Sequence, residues 1–229
     1  AWVSNGTIAT LSLLFFGADK SKGMSGGGIA IADLNAKGVT RGKALEKIGQ
    51  RDLPQGEIYF DDVRVSKDRI VCDEEAYENM TDLVLGAANA HMAIFGLGGA
   101  RAAFEETLRY SKERIQGGKP LCEHQDVQRK LAEMFIKIEA GRQLSRNVMK
   151  FNLYSFPPVT AYSMASKVYN TNMALEVTQE AVQIFGGAGY IADYGIERFY
   201  RDVRIFRIYE GTSQIQQVII ARETLKRGG

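Results

Sequence analysis

The chain has 229 residues, 45% hydrophobic and 24% charged, which suits one or two soluble globular domains with a sizeable core. A net charge of +2 with both signs interspersed argues against a nucleic-acid or anionic-membrane surface. Cys72, Cys122, His91 and His124 stand apart without metal-ligand spacing, so no metal site and no Ser/His/Asp triad is expected, and the two cysteines read as free thiols in a reducing compartment. No apolar run is expected to reach the ~20 residues of a membrane span, and no signal-peptide pattern opens the chain.

Residues 1 to about 72 are rich in glycine and in β-branched and aromatic residues. Turn signals separate the short apolar runs Leu11–Phe16, Gly28–Ala32 and Gly56–Phe60, so this part is predicted to be β. Gly23-Met-Ser-Gly-Gly-Gly-Ile-Ala invites a phosphate-loop reading, but it lacks the GxGxxG spacing and runs toward a strand, so a loop and strand start is expected. From about Glu78 the pattern turns helical, with apolar residues at three-and-four spacing over Asn79–Gln116, Glu123–Leu153, Val159–Phe185 and Thr212–Lys226 and a short helix at Ile196–Val203. Breaks are expected at Gly117-Gly118, Pro157-Pro158 and Gly186-Gly187-Ala188-Gly189. The fold class is therefore α+β, a partial antiparallel β-domain over 1–75 followed by an antiparallel four-helix-bundle-like α-domain over 76–229.

The run Ile208-Tyr-Glu-Gly-Thr-Ser-Gln-Ile-Gln216 is the most informative segment. It sets one carboxylate, Glu210, between an aromatic stretch and a hydroxyl-rich turn, where a general base could be desolvated and hydrogen-bonded. Gly186, Gly187, Gly189 and Gly211 permit close backbone approach, and Thr212, Ser213 and Gln214 offer polar atoms to a ligand. On the residues alone an equal alternative stands, a turn in which Thr212 or Ser213 caps the next helix.

Taken with Gln183-Ile-Phe-Gly-Gly-Ala-Gly-Tyr190, Glu197-Arg198 and Arg201-Asp202, this run resembles the C-terminal signature of the acyl-CoA dehydrogenases. Upstream, Trp2-Val3-Ser4-Asn5-Gly6, Lys47-Ile-Gly-Gln-Arg51, Ile58-Tyr-Phe-Asp-Asp-Val-Arg-Val65 and Tyr110-Ser-Lys-Glu-Arg114 with Gly118-Lys-Pro-Leu121 follow in the family's order, so the resemblance covers nearly the whole chain. It implies FAD-dependent α,β-dehydrogenation of an acyl-CoA thioester, Glu210 abstracting the α-proton while a hydride passes from Cβ to the flavin N5. The Glu210 N–H is then one donor to the thioester carbonyl, and Gly211 a substrate contact. Trp2 and Ser4 match flavin contacts, Arg114 and Gln125 positions that reach the FAD of a neighbouring subunit, Gln183, Gly186 and Gly187 the rest of that contact, and Thr212 to Gln214 the adenosine half. Arg198, Arg201, Asp202 and Arg222 read as structural.

The resemblance further implies an electron-transfer flavoprotein as partner, a homo-oligomer (dimer or tetramer), and a cytoplasmic or mitochondrial-matrix location. It also makes the chain the C-terminal part of a longer protein. Two positions depart from the pattern: Asn89 stands where the family often carries an arginine, and Gly117 where an aromatic residue commonly follows the bundle arginine. Both point to a branched, cyclic or aromatic acyl group. The alternatives are an oxygen-using acyl-CoA oxidase or flavin monooxygenase on the same fold, and a non-catalytic helical interaction module.

Overall fold

The computed structural model describes residues 2–155 and 160–227, apart from the side chains of Lys20, Met24, Ser25 and Arg227. The expected break at Pro157-Pro158 lies outside them. The chain divides into two compact units, Ala1–Asp82 and Leu83–Gly229.

The first unit holds two three-stranded antiparallel sheets. In one, β1 (Trp2–Ser4) and β4 (Val39–Arg41) flank β5 (Gln55–Phe60); in the other, β2 (Leu11–Gly17) and β6 (Ile70–Cys72) flank β3 (Gly27–Asp33). The register of β2 against β3 runs unbroken from Leu11 opposite Asp33 to Gly17 opposite Gly27, whereas β3 meets β6 across an irregularity at Ile29/Ala30. Gly27 has to be glycine because a Cβ there would lie 2.5 Å from the Tyr77 ring, which closes a small core with Ile29, Cys72 and Met80. The glycine-rich stretch before β3 forms a 3₁₀ turn over Lys20–Ser25 that leads into a strand, as expected for a loop and unlike a phosphate-binding βα turn.

A long helix, α1 (Glu74–Glu113), leads into the second unit, which continues through the hairpin β7 (Ile115–Gln116)/β8 (Lys119–Pro120), α2 (Gln125–Tyr154), α3 (Thr160–Phe185), α4 (Ile196–Val203) and α5 (Ser213–Arg227). Five helices packing as a bundle, after small antiparallel sheets, make the chain α+β. The start of α1 lies five residues before the expected Asn79, because Asp73 caps it: its carboxylate accepts from the Ala76 N–H at 3.2 Å. The far end comes earlier than Gln116, because Gly117 (φ 62°) and Gly118 (φ 81°) make the two-residue turn of β7/β8 and draw residues 115–116 into a strand. Gly117 thus answers to backbone conformation, and a Cβ on it would also crowd the His124 ring at 3.2 Å.

By length and composition α1 could cross a membrane, with a window of mean hydropathy 1.4, contrary to the sequence expectation. Leu83, Val84, Leu85, Ile94, Phe95 and Leu97 supply most of that hydropathy, and the small residues among them serve packing. Ala90, Ala93, Ala100 and Ala103 are fully buried, Gly96 lies so near α3 that a Cβ would be 3.0 Å from the Asn170 carbonyl oxygen, and Gly99 lies as near Val203 of α4.

Helix α3 is the centre of the second unit, packing against α2, α4 and α5. Met134, Ile138, Gly141, Ser145 and Val148 of α2 recur at four-and-three spacing, and Ser163, Ser166, Asn170, Met173 and Val177 of α3 do the same, so two seams meet in antiparallel register. One end of the seam is apolar and merges into the core of Val177, Ala181, Ile184, Phe185, Ile196, Val203 and Phe206. The other is polar, with Asn170 Nδ2 donating to the Ser145 hydroxyl (3.1 Å) and the Ser166 carbonyl (2.9 Å). Each fully buried aliphatic side chain in such a core contributes about 1.5–3 kcal/mol.

The seam generates a paired prediction. A Cβ on Gly141 would lie 2.3 Å from the pinned Asn170 Oδ1, so Gly141→Ala should lower the melting temperature by roughly 4–8 °C. Gly98 of α1 is exposed and a Cβ there meets nothing within 4 Å, so Gly98→Ala should leave it unchanged or raise it by a few degrees. Differential scanning calorimetry reads both, and equal effects would refute the packing argument.

Candidate active site

The segment between α4 and α5 is a 3₁₀ turn over Arg204–Arg207 followed by Ile208, Tyr209, Glu210 and Gly211. Phe206 and Tyr209 stack with ring centroids 5.8 Å apart, which anchors the turn on the core. Glu210 then adopts φ 54° and Gly211 φ 88°, two successive left-handed residues of which only the second is glycine. A non-glycine residue in this region costs about 1–2 kcal/mol and persists only where its surroundings impose it.

Three buried side chains impose it. The Lys167 ammonium, on α3, donates to the carbonyls of Tyr209 and Gly211, both at 2.6 Å. The carboxamide of Gln216, on α5, donates to the Glu210 carbonyl at 3.0 Å and to Asn89 Oδ1 on α1, while Asn89 Nδ2 donates back to the Leu85 carbonyl at 2.8 Å. Three consecutive carbonyls thus each accept from a buried donor. Lys167 and Asn89 have no exposed surface, and Gln216 retains 1%. Burial pulls the Lys167 pKa down from 10.5 to about 8, partly offset by attraction to the Glu210 carboxylate.

Glu210 itself is exposed, so the expected desolvation of its carboxylate is not found in this chain. Burial falls on the groups that grip its backbone. Thr212 takes the capping role: its hydroxyl accepts from the Ile215 N–H at 3.4 Å, and its carbonyl from the Gln216 N–H at 3.1 Å. Gln214 is exposed on the first turn of α5. Beside it, Ser213 Oγ and Gln216 Oε1 are buried without a hydrogen-bond partner among the described residues.

A second group of the expected residues converges at the end of α3. A cleft of about 460 Å³ is lined by Tyr110, Arg114, Gln116, Phe185, Gly186 and Gly187, among others. Tyr110 stacks on Phe185 at 3.9 Å between centroids, forming one wall. Gly186 has φ 61°, and a Cβ on Gly186 or Gly187 would meet nothing within 4 Å, so the backbone faces open space. Arg114 is exposed and has no carboxylate partner among the described residues, which leaves its guanidinium able to pair with a phosphate. Gln125 is exposed at the first position of α2. Gln183, by contrast, lines a neighbouring cavity of about 460 Å³ with Val182, Tyr190 and Tyr200.

In the first unit, Trp2 and Ser4 share one face of β1 by the two-residue period. Trp2 is 75% exposed, and the Ser4 hydroxyl accepts from Gln55 Nε2 at 3.1 Å. Among the residues read as structural, Arg201 pairs with Glu197 at 3.0 Å within α4. Sequence reasoning missed Lys167 and Gln216 as individual residues. The available signal for Lys167 was its spacing: it lies three and four residues from Met164, Ser163, Asn170 and Thr171, on the face of α3 that otherwise carries only small or neutral side chains.

Known proteins resemble the chain in sequence and in fold. The family model described as Acyl-CoA dehydrogenase, C-terminal domain, matches residues 80–225. The chain is 34% identical over 223 residues to a cyclohexane-1-carbonyl-CoA dehydrogenase of Geobacter metallireducens, covering 97% of this chain and 58% of that protein. It is 34% identical over 216 residues to the caffeyl-CoA reductase-Etf complex subunit CarC of Acetobacterium woodii, covering 94% and 57%. The solved butyryl-CoA dehydrogenase of Megasphaera elsdenii superposes with a TM-score of 0.92 at 35% identity, covering 98% of this chain and 58% of that one. The chain thus spans about 58% of the length of the curated relatives it matches.

The buried ammonium gives a pH prediction. Between pH 8 and 10.5 the unfolded chain keeps the Lys167 proton that the folded chain releases, so unfolding takes up a proton and stability rises with pH across that window. Denaturant unfolding of wild type and Lys167→Met at pH 7.5 and 10 should therefore show the difference moving in favour of the wild type at the higher pH. A difference independent of pH would refute the shifted lysine.

Proposed function

Since the chain belongs to the acyl-CoA dehydrogenase family, we propose that it is the part of an FAD-dependent enzyme that removes the α-proton of an acyl-CoA thioester, with Glu210 as the base. The observation that carries the reading is the imposed turn at Glu210: an exposed carboxylate on a left-handed residue, with three consecutive carbonyls held by two buried side chains, Lys167 and Gln216. Such an arrangement spends stability to fix one side chain's stem, which is what positioning a base for a weakly acidic C–H requires.

In this reading a carboxylate oxygen of Glu210 forms the new O–H bond as the α C–H bond breaks. The Glu210 N–H donates to the thioester carbonyl and stabilises the charge that develops there. When bound, FAD supplies the acceptor for the hydride that leaves Cβ, so the substrate loses a proton and a hydride and gains a C=C bond. The cleft at Gly186-Gly187 fits a part of that cofactor, because an open glycine backbone and an Arg114 guanidinium with no carboxylate partner among the described residues suit a pyrophosphate. Trp2 and Ser4 would face the flavin, Gln125 and Gln183 would extend the cofactor contact from a neighbouring subunit of a homodimer or homotetramer, and Thr212 to Gln214 would meet the adenosine half. Gly211 would line the substrate. An electron-transfer flavoprotein is the proposed redox partner, in line with the Etf complex in which the Acetobacterium relative is a subunit.

The test uses the full-length protein. Glu210→Gln should retain flavin while turnover falls by roughly 100-fold or more, read by bleaching of the flavin band on adding acyl-CoA; full activity would sink the assignment. A panel of butyryl-CoA, cyclohexane-1-carbonyl-CoA and 3-phenylpropanoyl-CoA should favour a cyclic or aromatic acyl group, because Asn89 departs from the family pattern, and a butyryl-CoA optimum would count against that choice. Oxygen consumption outpacing reduction of an electron-transfer flavoprotein would turn the reading to an oxidase.

A further inference from the structure

We propose that Lys167 is a positioning residue for the Glu210 base, its ammonium clamping the Tyr209 and Gly211 carbonyls so that both the carboxylate stem and the Glu210 N–H are held in one direction. The inference rests on the function proposed above.

The geometry of the peptide unit carries it. The C=O of Tyr209 and the N–H of Glu210 belong to one planar trans peptide and point to opposite sides of it. An ammonium fixed at 2.6 Å from the Tyr209 oxygen therefore fixes where the Glu210 N–H is aimed. A cation on the oxygen also draws electron density from the nitrogen, which makes that N–H a stronger donor. The same ammonium reaches the Gly211 oxygen at 2.6 Å, so the two left-handed residues Glu210 and Gly211 lie between peptides tied to a single atom, with the peptide that joins them held by Gln216.

The scaffold suits the role. Lys167 projects from the first third of the 26-residue α3, the helix against which α2, α4 and α5 pack, and its neighbours Ser163, Met164, Asn170 and Thr171 are buried. A lysine serving only solubility would not be fully removed from solvent, and one serving only packing would be better replaced by methionine, since removing an ammonium from water is costly. Gln216 holds the Glu210 carbonyl between the two lysine contacts, but it is neutral and grips one peptide alone.

The test compares wild type, Lys167→Met and Lys167→Arg as full-length holoenzymes with the panel acyl-CoA that bleaches the wild-type flavin. Lys167→Met should keep its flavin content while kcat falls about 100-fold, with KM within about threefold and exchange of the substrate α-proton with deuterated solvent falling in parallel. Lys167→Arg, which can still donate to both carbonyls, should recover at least about a tenth of wild-type kcat. Should Lys167→Met lose flavin, Lys167→Gln, which keeps one donor, is read by the same split. Unchanged kcat, or a kcat loss that merely tracks flavin loss across the variants, overturns the inference. A wild type that no acyl-CoA bleaches would overturn the functional reading instead, whatever the variants do.

Discussion

An ammonium with no exposed surface has to find oxygen, and on α3 the oxygens that Lys167 finds belong to the turn that carries Glu210. That demand ties the central helix of the second unit to the segment between α4 and α5. Around it the other constraints fall into place: Tyr209 is stacked on Phe206 of the core, Gln216 enters from α5, and Asn89 joins α1 to the same hydrogen-bonded chain. Three helices, α1, α3 and α5, therefore bear on one turn of backbone, and a shift in any of them would reach Glu210 through a hydrogen bond to its backbone rather than through its own side chain.

The chain uses the same device elsewhere. In the first unit Lys47 donates to the carbonyls of Gln50, at 2.7 Å, and Leu53, and Gln50 is another non-glycine residue in the left-handed region, at φ 46°. A lysine has three donors on a flexible stem, so it can hold carbonyls that a left-handed residue turns away from their usual partners. The difference between the two sites is burial. Lys47 is only half-buried, whereas Lys167 has no exposed surface and pays for it in proton affinity.

Much of this was legible in the sequence, and the misses have identifiable causes. The α4 boundaries, Ile196–Val203, follow from a short amphipathic pattern between glycine-rich segments, and the ends of α3 and α5 from their neighbouring turn residues. The start of α1 was missed because the cap is carried by Asp73, ahead of the apolar pattern. Its membrane-like hydropathy was missed because Asn89, His91 and scattered glycines interrupt the bulky apolar residues, so no continuous run stands out. At the candidate site the signature segment was readable, but the grip on it was not. Lys167 lies 43 positions before Glu210 and Asn89 lies 127 before Gln216, separations at which no local period connects two residues.

Asn89 shows how a departure from a pattern becomes an architectural statement once its partner is known. An amide offers both a donor and an acceptor, and each is used: Nδ2 returns to its own helix at Leu85, and Oδ1 receives Gln216. An arginine has no acceptor, so in this setting it could not receive the Gln216 amide, and that amide's hold on the Glu210 carbonyl would have to be rebuilt. The neutral pair also adds no charge beside the turn, which leaves the Lys167 ammonium, attracted to Glu210 itself, to supply the positive field there.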